Sequence, residues 1–149
     1  MTTMIAGSQI RSIGLGVRVE KSTGTLAATT IPLFTIAGGM VMVTSLQGRV
    51  TAPVTVANSY KLQHNPTAGT TVDLCAASDI GTTDTVLGEI FVVSGVRATG
   101  IVIGANPRVA MGVVMDTGQI ESVSAGTDGA ILWSLTYIPL DDGASLVAA

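Results

Sequence analysis

Few residues in this chain could do chemistry, and the two most reactive stand close together: one histidine, His64, and one cysteine, Cys75. A cysteine nucleophile needs a base beside it and a third group to orient that base. A turn across Asn65-Pro66-Thr67-Ala68-Gly69 would carry the chain back so that the pair can meet, which is the pattern of a small Cys/His hydrolase. No oxyanion-hole motif, nucleophile elbow or orienting group accompanies it, and a loop histidine with a buried thiol acting as a small hydrophobe accounts for both residues. Two such ligands fall short of the four that structural zinc takes. Asp79, Asp84, Asp128, Asp141 and Asp142 fall in expected loops, without the spacing of a calcium-binding EF-hand, and acids beside glycine are ordinary turn formers. Carboxylates cutting a sugar would need aromatic platforms, whereas the chain holds two Phe, two Tyr and one Trp. Gly14-Leu15-Gly16 is a fragment of a phosphate-cradling pattern with no helix expected after it, and it reads as a kink in a strand. The expectation is a non-enzymatic protein without metal or cofactor.

The elements that would position any of these residues are strands. Apolar positions favour period two and are rich in Val, Ile and Thr, whose branched β-carbons suit a pleated sheet. Val17 and Val19 alternate with Arg18 and Glu20, a half-buried strand. Ile31 to Ile36 makes another and leads to a turn or bulge at Gly38 and Gly39. Met40 to Leu46 is apolar on both faces, so both should be covered. Val54 to Leu62 enters a hairpin turned at 65–69 and closed by Thr70 to Ala76. Ser78 to Thr85 reads as a loop, Val86 to Val93 as a strand, and Val96 to Ile103 as a strand interrupted by Gly95, Gly100 and Gly104. Ala110 to Met115 and Gln119 to Val123 are short strands. After a turn at 125–129 comes the strongest, Ala130 to Ile138, whose Ile131, Trp133, Leu135 and Tyr137 share a face that must be buried. Pro139 ends the pairing, Asp141-Asp142-Gly143 turns the chain, and Leu146 to Ala149 is an apolar tail. About eight to ten short strands at this spacing indicate an all-β fold, an antiparallel sandwich or a jelly-roll-like barrel.

Composition sets the class. At 149 residues the chain has the length of one domain. Charged residues are 11% of it, against about 25% in an average soluble domain. With a mean hydropathy of +0.58, too little charge remains to cover a free monomer, so self-association is expected. The most apolar stretch, Ile36 to Val43, is far shorter than the roughly 18 residues of a membrane span and contains two glycines. Met1 to Ser8 lacks the pattern of a secretory signal. A lone cysteine forms no intrachain disulfide and suits a reducing cytoplasm. Seven basic against ten acidic residues, unclustered, give a net charge of -3 and speak against nucleic acid as a partner.

Two stretches carry a resemblance: Ile31-Pro32-Leu33-Phe34-Thr35-Ile36-Ala37-Gly38-Gly39 with Met40 to Gly48 after it, and Trp133-Ser134-Leu135-Thr136-Tyr137-Ile138-Pro139-Leu140-Asp141-Asp142-Gly143-Ala144. With Val72-Asp73-Leu74-Cys75-Ala76 they cover roughly a third of the chain and resemble small virion proteins of tailed bacteriophages, of the kind that decorate or cement the capsid. The resemblance implies a homo-oligomer, a trimer above all, seated on the outer surface of the major capsid protein lattice of a particle assembled in the host cytoplasm. It also implies an extended terminal arm, here residues 1–13, ahead of a single β domain over 14–149, adding a strand to a neighbour's sheet. Ile5, Ile10 and Ile13 of that arm, with Phe34, Trp133 and Tyr137, are the candidate subunit or capsid contacts. For Trp133 and Tyr137 a place in the monomer core is the competing expectation. A tail or fibre protein is the alternative within the same structural class.

Overall fold

Alternating Val, Ile and Thr build strands, and the computed structural model, which describes residues 7–93, 100–103 and 112–149, shows how they pair. A helix, α1 (Gly7–Leu15), precedes β1 (Val17–Thr25), β2 (Thr30–Ala37), β3 (Val41–Ala52), β4 (Ser59–Pro66), β5 (Val72–Asp73), β6 (Ser78–Asp79), β7 (Ile90–Val92), β8 (Val102–Ile103), β9 (Val113–Met115), β10 (Gly118–Ser124), β11 (Ala130–Pro139) and β12 (Ser145–Ala148). Two six-stranded sheets result: sheet A, ordered β1-β11-β3-β7-β8 with β9 also on β3, and sheet B, ordered β12-β2-β10-β4-β5 with β6 also on β4. All the pairings are antiparallel.

The pairings are nested. β1 lies on β11, β2 on β10, β3 on β7 and β4 on β5, as if one long hairpin had zipped from its open end inwards. Rolling that hairpin brings β11 against β3 and β10 against β4, which completes each sheet. This is the strand order of a jelly-roll sandwich. It agrees with the all-β expectation; the two strands beyond about ten are the short β6 and the apolar tail, which pairs with β2 as β12.

The core lies between the sheets. Ile131, Trp133 and Leu135 of β11 are fully buried and Tyr137 is 7% exposed, so the face expected to be inside is inside. Phe34, Tyr60, Leu62 and Ile120 meet it from sheet B. Trp133 and Tyr60 stack with ring centroids 6.2 Å apart and planes 4° from parallel, and the Trp133 Nε1–H donates to the Tyr60 hydroxyl at 2.8 Å. One polar bond thus links the two sheets through the apolar interior. Asn58, 1% exposed, braces one end of sheet B, tying the start of β4 to the end of β10: its Oδ1 accepts from the amides of Ala125 and Gly126 at 3.1 and 2.9 Å, and its Nδ2 donates to Ser124 Oγ at 3.0 Å.

Several segments depart from expectation for identifiable reasons. The strand expected to stop at Leu46 runs on to Ala52 because Gly48 sits opposite Trp133, and a β-carbon there would stand 3.1 Å from the indole. The strand expected from Val54 begins only at Ser59, since Pro53 removes a donor and residues 53–58 carry the chain from sheet A to sheet B. Ser78–Asp79 pairs with β4 where a loop was expected. The N-terminal segment is helical from Gly7 to Leu15 where an extended arm was expected, and Gly14-Leu15-Gly16 ends a helix instead of kinking a strand. Gly16 takes φ 87°, the left-handed stop of a helix C-terminus, and its amide bonds the Ser12 carbonyl at 3.0 Å. Of the expected strand Val96 to Ile103, Val102–Ile103 is β8, while Val96 to Thr99, like Ala110 and Met111 at the start of the next expected strand, lie outside the described residues.

Candidate interaction surface

The residues singled out for chemistry are occupied with structure. The turn at 65–69 does fold β5 back, so that Val72 pairs with His64. His64 is 9% exposed, and its Nε2 lies 3.1 Å from the Asp116 carbonyl. Cys75 is fully buried, its Sγ accepts from the Leu62 amide at 3.3 Å, and burial pushes the thiol pKa up, which disfavours the nucleophilic thiolate. Asp79 accepts from the Thr82 hydroxyl and from the amides of Gly81, Thr82 and Asn58, and these bonds hold its carboxyl far below the usual range. Asp128 accepts from the Thr55 amide at 2.6 Å and hydroxyl at 2.8 Å and is likewise lowered. Asp141 accepts from the Met40 amide at 2.7 Å. These three acids hold loop backbone, as turn formers do. Among the described residues no three His, Cys, Asp or Glu side chains gather as a metal site.

The expected contact residues divide. Phe34 and Trp133 are fully buried and Tyr137 nearly so, all within the chain's own core. Ile10 is 59% exposed on α1; the Ile13 side chain and all of Ile5 lie outside the described residues. The exposed apolar surface is elsewhere and was not anticipated: Leu15, Val17, Met40, Val113, Val114 and Leu140 are between 38% and 69% exposed.

Strand order places these six at the same end of sheet A, with Val113 and Val114 on opposite faces of β9. The start of β1, the end of β11, the start of β3 and all of β9 are neighbours at one end of sheet A, with Val17 opposite Tyr137, Pro139 opposite Val41, and Met42 opposite Val114. At this end the β2–β3 and β11–β12 turns clasp each other. The Leu140 amide donates to the Met40 carbonyl at 3.0 Å, and a β-carbon on Gly38 or Gly39 would strike Gly143 or Asp141. Met40 and Leu140 therefore stand on a stiff, paired turn. The signal for them in the sequence is an apolar residue inside a turn motif, after Gly38-Gly39 and before Asp141-Asp142-Gly143.

The outer faces of the sheets differ in how far their polar groups are satisfied. On sheet B, Glu121 accepts from Gln63 Nε2 at 2.7 Å and Asn65 Nδ2 at 3.1 Å, and Lys61 pairs with Asp73 at 2.7 Å. On sheet A, a concavity of about 590 Å³ runs over β1, β11, β3 and β7, lined among others by Arg18, Gln47, Arg49, Ile90, Leu132 and Ser134. Arg18 is held there by Glu20 and, at 2.8 Å, by Ser134 Oγ. No protein-family model, curated protein or solved structure matches this chain.

Proposed function

We propose that this chain is a structural component of a virus particle, a decoration or cement protein that binds the outer capsid lattice as an oligomer and strengthens the shell. The observation that carries this reading is the gathering of exposed Leu15, Val17, Met40, Val113, Val114 and Leu140 at one braced end of a rigid sandwich. Apolar side chains displayed together mark an interaction surface, and a stiff support means that little entropy is lost when they dock. Jelly rolls also serve as lectins and as small-molecule barrels, and the fold alone does not choose among these uses. Two features favour the structural use. All five aromatic side chains, Phe34, Tyr60, Phe91, Trp133 and Tyr137, are in the core, so no ring is displayed to stack on a sugar. The interior where a barrel enzyme would hold its substrate is filled by the same side chains. Low charge and high hydropathy suit a surface that is covered in use, and several modest footprints tied together bind far more tightly than one.

The test mixes the purified chain with heads assembled from the major capsid protein of the same genome, prepared without it, and sediments them. The chain is expected to pellet with the heads and to raise their resistance to heat. A chain that stays in the supernatant at every concentration, while binding purified tails, would replace the cement reading with the tail one.

A further inference from the structure

We propose that the paired turn of one copy, carrying Met40, Leu140 and Asp142, seats in the outer concavity of sheet A of the next copy, with Asp142 meeting Arg49. The inference deepens the oligomeric part of the function proposed above and rests on it. Its first ground is Arg49. Among the described basic side chains, Arg18 is paired with Glu20, Lys61 with Asp73, and Lys21 with the Ala149 carbonyl, whereas Arg49 has no partner. It projects from β3 between its cross-strand neighbours Leu132 and Ile90, both half-buried, inside a hollow of about 590 Å³. A guanidinium so placed suits a carboxylate that arrives with apolar neighbours, because the planar fork takes both oxygens at once.

The second ground is that this chain carries such a group on a convex support. Asp141 is engaged by the Met40 amide, but Asp142 is exposed and without a partner. Beside it stand Leu140 and Met40, 46% and 39% exposed. The clasp between the two turns fixes all three before contact, which is the condition for a small footprint to bind well. Asp84, next to the exposed Val86 and Leu87, is the rival carboxylate. Its loop enters β7 on the concavity's own margin, so its approach to a neighbour's Arg49 would bring two hollows and their arginines face to face, a like-charge arrangement. The turn and the concavity are different patches, so the contact is heterologous and closes as a ring when the rotation allows.

The experiment is a charge exchange read by light scattering on the full chain without capsids, comparing wild type, Arg49→Glu, Asp142→Arg and the double variant. Both side chains are exposed and away from the core, and thermal melts confirm that each variant folds. Either single change is expected to raise the dissociation constant of the oligomer about ten- to a hundredfold, and the double variant to recover most of the loss. Singles with unchanged mass, a double no better than the singles, or rescue of Arg49→Glu by Asp84→Arg would each overturn the assignment. A wild type that is monomeric yet pellets with heads would also overturn it while leaving the cement reading intact. An oligomer that depends on Arg49 but ignores heads would sustain the contact and remove that reading.

Discussion

Tyr60 and Trp133 meet across the gap between the sheets, and their hydrogen bond has consequences that each partner alone would not have. Tyr60→Phe keeps the stacked ring but leaves the indole N–H buried without an acceptor, so it is expected to cost about 2 kcal/mol in denaturant unfolding. A loss indistinguishable from zero would mean the donor finds another acceptor. Burial also pushes the Tyr60 phenol well above its ordinary value, with hydrogen bonds to Ser122 and Trp133 only partly opposing that. Since the folded value exceeds the unfolded one, the associated stability is complete below about pH 10 and is lost as pH rises beyond it. Wild type should therefore lose stability more steeply than Tyr60→Phe above that pH, a difference that paired melts would show.

At the scale of elements, β3 and β11 form the spine of sheet A, and Gly48 shows what lets them pair. Glycine weakens an isolated strand, and the strand read from the sequence ended at Leu46. In the fold its missing side chain is the space that Trp133 occupies. Gly48→Val would force the indole aside and is expected to destabilise by about 2 kcal/mol and to shift Trp133 emission to the red; an unshifted spectrum would place the strain elsewhere. Strand β11, with its clean alternation, and the Val/Ile/Thr-bearing β2 and β10 were legible because one face of each is buried by the opposite sheet. Helix α1 was not legible, since Gly16, which stops it, is read from sequence equally well as a strand kink. The short β6 escaped because a two-residue pairing is set by a neighbour, β4, and leaves no period of its own. The exposure of the apolar residues was misjudged for a related reason. Aromatic size suggested contacts at Phe34, Trp133 and Tyr137, but a core with so few large side chains uses every one of them, and the exposed apolar residues were left to the turns.

For the whole molecule, the nested pairing makes almost every sheet contact long-range. Arg18 Nε reaches Ser134 Oγ across 116 residues of chain. Closing such loops before any pairing rewards them is slow, so refolding followed by Trp133 fluorescence is expected on the millisecond-to-second scale of β-sandwiches; a microsecond phase carrying the full amplitude would contradict this. The same topology imposes an order in time during synthesis. β1 leaves the ribosome roughly ten seconds before β11 exists to receive it, at ordinary elongation rates. Through that interval nine residues of strand are an open edge, and Arg18, Glu20 and Lys21, which contribute little to the finished core, are charges of the kind that oppose edge-to-edge pairing between nascent copies.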